Sequence, residues 1–199
     1  MKILAIATLR VLEGKDPTIL ASAYDLNGFG YFQRSGAKEM MVFLMRTFAS
    51  RTQPGQRQSI QHNEYLGHVY RRPDGLAGIV ISDIEYTPRV AFSLINKILD
   101  EFFSKYPSFL AAPATDDCLP FEPLEGYLLK YQNPAEADKL AKIQKDLDET
   151  KIVLHKTIES VLERGMKLED LVEKSQDLSL QSKMFYKTAQ KQNQCCIVM

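Results

Sequence analysis

Apolar residues fall along this chain in two rhythms. Up to about residue 131 they come in short runs separated by turn residues, whereas over residues 140–192 they recur by strictly alternating steps of three and four. The short runs predict a mixed α and β domain. Residues 3–9 and 18–24 read as strands joined across Glu13-Gly14-Lys15-Asp16-Pro17. Residues 65–70 and 76–81 read as strands around Arg72-Pro73-Asp74-Gly75, with a short strand near 58–61 before them. Residues 37–51 read as a helix, and Thr87-Pro88 supply an N-cap and first helical position for another that runs to about residue 105. Residues 107–123 hold four prolines and read as irregular, residues 124–131 as a short helix. Asn133-Pro134-Ala135-Glu136 then opens a long helix with a capping-box arrangement. The chain thus divides into a domain over residues 1–131, a heptad segment over 134–194 and a tail over 195–199.

The second rhythm lands on Leu140, Ile143, Leu147, Thr150, Leu154, Thr157, Val161, Arg164, Leu168, Leu171, Ser175, Leu178, Ser182, Phe185, Ala189 and Gln192. A mean spacing of about 3.5 residues is that of a helix supercoiling against other helices. A continuous helix over this span is roughly 80 Å long, about twice the width of a compact domain built from the preceding residues, so most of its seam needs partners from outside that domain. Nine of the sixteen seam positions are Leu, Ile, Val or Phe; the remainder are mostly polar, and Gly165 adds about 1 kcal/mol of helix penalty. Such a seam is a poor lone helix or simple homodimer. Arg164 stands at its centre, seven layers before it and eight after. A guanidinium has five donors and cannot shed its charge, so burying it requires side-chain oxygens at the same level on neighbouring helices, which makes that layer a register pin.

Val161-Leu162-Glu163-Arg164 followed by Lys167-Leu168, set in these layers, resembles the R-SNARE motif of synaptobrevin-type proteins. The resemblance implies membrane fusion. Arg164 becomes the central ionic layer of a four-helix bundle, facing three Gln residues on three partner Q-SNARE helices (Qa, Qb and Qc). The order of strands and helices ahead of the motif resembles the longin domain, a profilin-like five-stranded antiparallel sheet with helices on both faces. Phe32-Gln33-Arg34 and residues 65–102 are similar to its lipid-anchored branch. Transport between ER and Golgi, within the Golgi, and to endosomal or vacuolar membranes is the expectation that follows. A non-fusogenic, lipid-anchored longin adaptor is the alternative.

Met40, Met41, Val42, Phe43, Leu44 and Met45 cover the whole circumference of their predicted helix, although one stripe suffices to dock it on a sheet. The surplus face, with Phe43 and Met40, must lie under something else: either the rest of its own domain or the C-terminal helix and its lipid. The resemblance favours the second, a closed form in which the longin domain folds against the SNARE segment and shields the lipid, with Phe43 where the family has a hydrophobic residue needed for closure.

Composition narrows the chemistry. Lys plus Arg and Asp plus Glu both number 25, so charge points to no nucleic acid. The three cysteines, Cys118, Cys195 and Cys196, are no disulfide framework and fit a cytosolic chain. No apolar run approaches the 18 residues of a membrane-spanning helix. Instead Cys196-Ile197-Val198-Met199 forms a C-a-a-X box whose Met favours a farnesyl group on Cys196. Cys195 is placed for a second lipid, which the resemblance gives as palmitoyl or a second prenyl group. One chain anchors reversibly and two anchor stably, so the pair predicts cycling between cytosol and membrane surface. After Asp177 the charged residues are Lys183, Lys187 and Lys191, a weak attraction toward anionic lipid. Ser175, Ser182 and Thr188 are candidate phosphorylation switches on or beside the seam. Nothing marks an enzyme: there is no phosphate-binding loop, and His62, His68 and His155 have no metal-ligand spacing with Cys118 or carboxylates. Self-acylation of Cys195, which the resemblance raises, has no acyltransferase-like site here.

Overall fold

The computed structural model describes residues 2–132, 152–155, 157–163, 165–184 and 186–187. Five strands alternate with helices in the N-terminal part: β1 (Ile3–Arg10), β2 (Thr18–Tyr24), α1 (Arg34–Ser50), β3 (Arg57–His62), β4 (Tyr65–Arg71), β5 (Leu76–Asp83), α2 (Pro88–Lys105) and α3 (Pro123–Lys130). Each predicted strand and helix of this part is present, with ends moved by up to three residues. Thr87 does occupy the N-cap of α2, but its side chain makes no capping bond; Pro88 at N1 and the Thr87 carbonyl, which accepts the amide of Val90, start the helix.

The strands lie in the order β2-β1-β5-β4-β3, all antiparallel, and a sixth strand, β6 (Ile152–His155), adds to β3 in parallel. Alternation along each strand sends side chains to two cores. Ala5, Ala7, Leu9, Ile60, Val69, Ile79 and Ile81 face α1, while Ile6, Leu20, Leu76 and Val80 face α2 and α3. Two glycines set how closely the helices approach. A Cβ on Gly67 would lie 2.2 Å from the Phe48 ring of α1, and one on Gly78 would lie 2.8 Å from Ile95 of α2.

Both sheet edges are covered. On the β2 side, the amides of Asp117 and Leu119 donate to the carbonyls of Ile19 and Leu20 at 2.9 and 3.0 Å, so the proline-rich segment runs along the strand as a strap. The guanidinium of Arg10 holds that strap by donating to the carbonyls of Leu110, Ala112 and Pro113. On the other side β6 fills the edge of β3, pairing Arg57 with Ile152 through Ile60 with His155. An open edge invites pairing with other chains, and here the chain's own C-terminal segment occupies it.

That segment departs from the expected continuous helix. Beyond β6 it forms a 3-10 turn at Ile158–Val161, a second helix α4 (Leu168–Lys174), and further helical residues at 180–184 and 186–187. The cause lies in its composition. Ile152 and Val153 are β-branched and suit a strand, and a lone helix with Thr157, Ser175 and Ser182 on its seam gains little by staying intact. Gly165 has φ +90°, a left-handed backbone that glycine alone adopts without strain, so the chain turns there. Asn133–Glu136 of the expected capping box lie outside the described residues.

Candidate functional site

The site is the long contact between α1 and the C-terminal segment. Positions 36, 39, 43 and 46 of α1 are spaced by three or four residues and form one stripe. The segment runs down this stripe against the direction of α1. Near the C-terminal end of α1, Arg51 pairs with Glu163 and donates toward the Met166 sulfur at 3.2 Å. Arg46 follows, 3.5 Å from Asp177 and 2.5 Å from Asp116 of the strap. Glu39 then accepts the backbone N–H of Ser179 at 2.8 Å. Last, a Cβ on Gly36 would lie 3.2 Å from the Ser182 hydroxyl. Beyond the stripe, the rings of Tyr186 and His62 of β3 stack with centroids 6.3 Å apart.

Apolar side chains fill the space between these polar contacts. Phe43 is buried and Met40 is partly buried in the core that also takes Ile158, Leu168, Val172, Leu178 and Tyr186. Phe43 lies on the same stripe of α1 as Gly36, Glu39 and Arg46, the positions that meet the C-terminal segment. Fully burying a side chain of this size contributes about 1.5–3 kcal/mol relative to leaving it in water.

Electrostatics tie the contact to charge. Burial alone would raise the Glu39 carboxyl, but hydrogen bonds from the Ser179 amide and from the Ser182, Ser179 and Ser35 hydroxyls outweigh it and hold the group below its ordinary value. The Ser179 hydroxyl also accepts the N–H of Ser182 at 3.2 Å. Ser179 and Glu39 thus share the two halves of a capping box, with the acid supplied by α1 in place of the helix's own third residue. Asp177 is shifted upward, chiefly by burial; Arg46 pulls it down, and the charges of Asp116 and Asp16 push it up further. Burial also lowers His62 against the opposing charge of Glu159, and it pushes Tyr186 up to about 12.

Of the predicted seam, Leu168, Leu178 and Ser182 are buried, Val161, Leu171 and Ser175 are half-buried, and Leu154 and Thr157 are exposed. Ile158, Val172 and Tyr186, each one residue past a seam position, were not anticipated, yet they are among the segment's most buried residues. Leu140, Ile143, Leu147, Thr150, Arg164, Phe185, Ala189, Gln192, Cys195 and Cys196 lie outside the described residues, as does Thr188. His68 is a buried core histidine between the Ser59 and Ser82 hydroxyls. His155 bonds Ser160, and Cys118 is a free thiol within the strap. No helix among the described residues is long and apolar enough to cross a membrane.

Two family models match this chain: a regulated-SNARE-like longin domain over residues 26–128 and synaptobrevin over residues 139–198. Over their full lengths, similar curated proteins include VAMP-like protein YKT61 of Arabidopsis thaliana, 53% identical over 200 residues, and synaptobrevin homolog YKT6 of Eremothecium gossypii, 51% identical over 201. Synaptobrevin homolog ykt6 of Schizosaccharomyces pombe is 51% identical over 200 residues, again with all of both chains covered.

Proposed function

The chain belongs to the longin-domain branch of the synaptobrevin family, and from that premise we propose that it is a two-state fusion protein whose N-terminal domain keeps its own SNARE segment from partners until fusion is due. It is an R-SNARE, a trafficking protein and not an enzyme, and it works by bundling with SNARE helices of other proteins. In the proposal those helices are one each of Qa, Qb and Qc type. The layers zipper from Leu140 toward Gln192, and Arg164 meets three partner glutamines at the centre. ER–Golgi, intra-Golgi and endosomal or vacuolar transport are the steps it serves. Farnesyl on Cys196 and a second lipid on Cys195, palmitoyl or prenyl, set its partition between cytosol and the cytosolic face of those membranes.

One observation carries the autoinhibitory part: Leu168, Leu178 and Ser182, seam residues that a bundle needs, are already buried in the contact with the N-terminal domain. Phe43 and Met40 form the floor of that contact, and the same apolar groove is where the lipid is sheltered. The test mixes the purified chain with three Q-type SNARE helices. A thermally stable complex that Arg164→Ala weakens is the expected result. No complex with either chain would leave a lipid-anchored longin adaptor in its place. Intact mass of the C-terminal peptide from cytosolic and membrane fractions tests the lipids.

A further inference from the structure

One face of the C-terminal helical residues is apolar where neither conformation needs it to be. With the seam passing through Leu178, Ser182 and Phe185, helical geometry puts Leu180, Met184 and Lys187 within about 55° of the opposite side. Those positions therefore point away from the core of any bundle. In the folded-back chain the same stripe also faces water: Leu180 is 80% exposed, Met184 is 64% exposed, and Lys187 is exposed. A leucine and a methionine one helical turn apart thus stay outside in both states.

The charges around them change between the states. In the folded-back chain Lys187 pairs with Glu173 at 3.2 Å, and the Lys183 ammonium donates to the Glu173 carbonyl at 2.8 Å. Both contacts require the bend between α4 and the helical residues that follow it. In a continuous helix Glu173 and Lys187 are separated by fourteen residues, or about 21 Å, and Lys183 by about 15 Å, so straightening must break both. Two ammonium groups are released beside the apolar pair. No Asp or Glu follows Asp177, and only eight residues lie between Lys187 and Cys196.

We propose that Leu180, Met184 and Lys187 form a membrane-contact stripe, which lies on an anionic bilayer surface once the segment straightens into a bundle. The apolar pair enters the headgroup boundary, and the freed Lys187 meets lipid phosphates and carboxylates. The stripe rests on the bundle reading above and is independent of which lipid Cys195 carries. Its occupant is a lipid surface because two apolar side chains are followed along it by a basic one, with no acid after Asp177, next to the expected anchor.

The full chain, with Cys195→Ser and Cys196→Ser to remove any lipid, is assembled with three partner helices that lack membrane anchors. It is then co-floated with phosphatidylcholine vesicles with and without phosphatidylserine. Assembled chains bind the phosphatidylserine vesicles more tightly than folded-back ones. Lys187→Ala weakens that binding about fivefold on phosphatidylserine alone. Leu180→Ser with Met184→Ser weakens it roughly tenfold on phosphatidylserine vesicles and lowers the residual binding to neutral ones. Thermal melting scores assembly separately. Equal vesicle binding by parent and variants overturns the stripe while leaving the bundle reading standing, and so does a lower melting point with unchanged binding. A chain that fails to assemble at all overturns both.

Discussion

Gly165→Ala should open the folded-back form. At φ +90° a Cβ clashes with the residue's own backbone, at a cost of about 1–2 kcal/mol. No atom lies within 4 Å of where that Cβ would sit, so the penalty is conformational and not a packing clash. The same substitution favours the helical state by about 1 kcal/mol, because Gly165 lies just outside the seam in a continuous helix. Together the two effects shift the balance by about 2–3 kcal/mol, or roughly 30- to 150-fold. Hydrogen exchange reads this directly: the amides of β6 lose protection by that factor while those of β1 and β5 do not. Assembly with partner helices speeds up wherever opening limits it. Gly55→Ala is the control, since Gly55 has φ +78° and equal space but sits in a turn of the N-terminal domain. It lowers the stability of that domain without a helical gain. Unchanged protection of β6 in Gly165→Ala would refute the reasoning.

Phe43→Glu places a charge in the core shared by α1 and the C-terminal segment, so lipidated protein shifts from cytosol to membranes; fractionation that finds the wild-type partition counts against closure. His68 predicts a pH dependence in the N-terminal domain. Burial lowers its pKa to about 4 from an ordinary value near 6.5, so between those values the unfolded chain takes up a proton that the folded chain refuses. Its stabilising contribution is complete above about pH 6.5 and is lost as pH falls toward 4, by about 3 kcal/mol in all. Denaturant titrations of wild type and His68→Gln should differ in slope across that window, and parallel curves would dismiss the assignment.

The N-terminal domain was legible because its signals are local and agree with one another. Residues 18–24 form a short, mostly apolar run bounded by turn residues, and Pro88 fixes the start of α2. The helix α1 begins three residues earlier than expected because its first turn, with Ser35 and Gly36, carries no propensity signal of its own. β6 was hidden by an ambiguity of period: Ile152, Val153 and Leu154 fit a strand as readily as a heptad, and the long series around them favoured the helix. Ile158, Leu162, Val172 and Tyr186 did leave a trace, an apolar residue directly after a seam position, four times over. The pairing of Glu39 with Ser179 left none, since a single polar contact spanning 140 positions of sequence has no periodicity to betray it.

The two states exclude each other at the level of the backbone as well as of side chains. In β6 the chain rises about 3.3 Å per residue, and in a helix about 1.5 Å, so residues 152–155 cannot pair with β3 and carry the Leu154 layer at once. Leu168 and Leu178 are buried by either arrangement and therefore gain little from the exchange. Ile158, Val172 and Tyr186 lie beside the seam, and their burial against the N-terminal domain is lost on entering a bundle unless its flanks cover them. Leu154 and Thr157, exposed here, pack only in the bundle. Which state prevails is then decided by a few residues specific to each, while the shared layers keep both within reach. An all-leucine seam would strengthen bundling and weaken that balance, which gives the polar layers at Thr157, Ser175 and Ser182 a physical role beyond register.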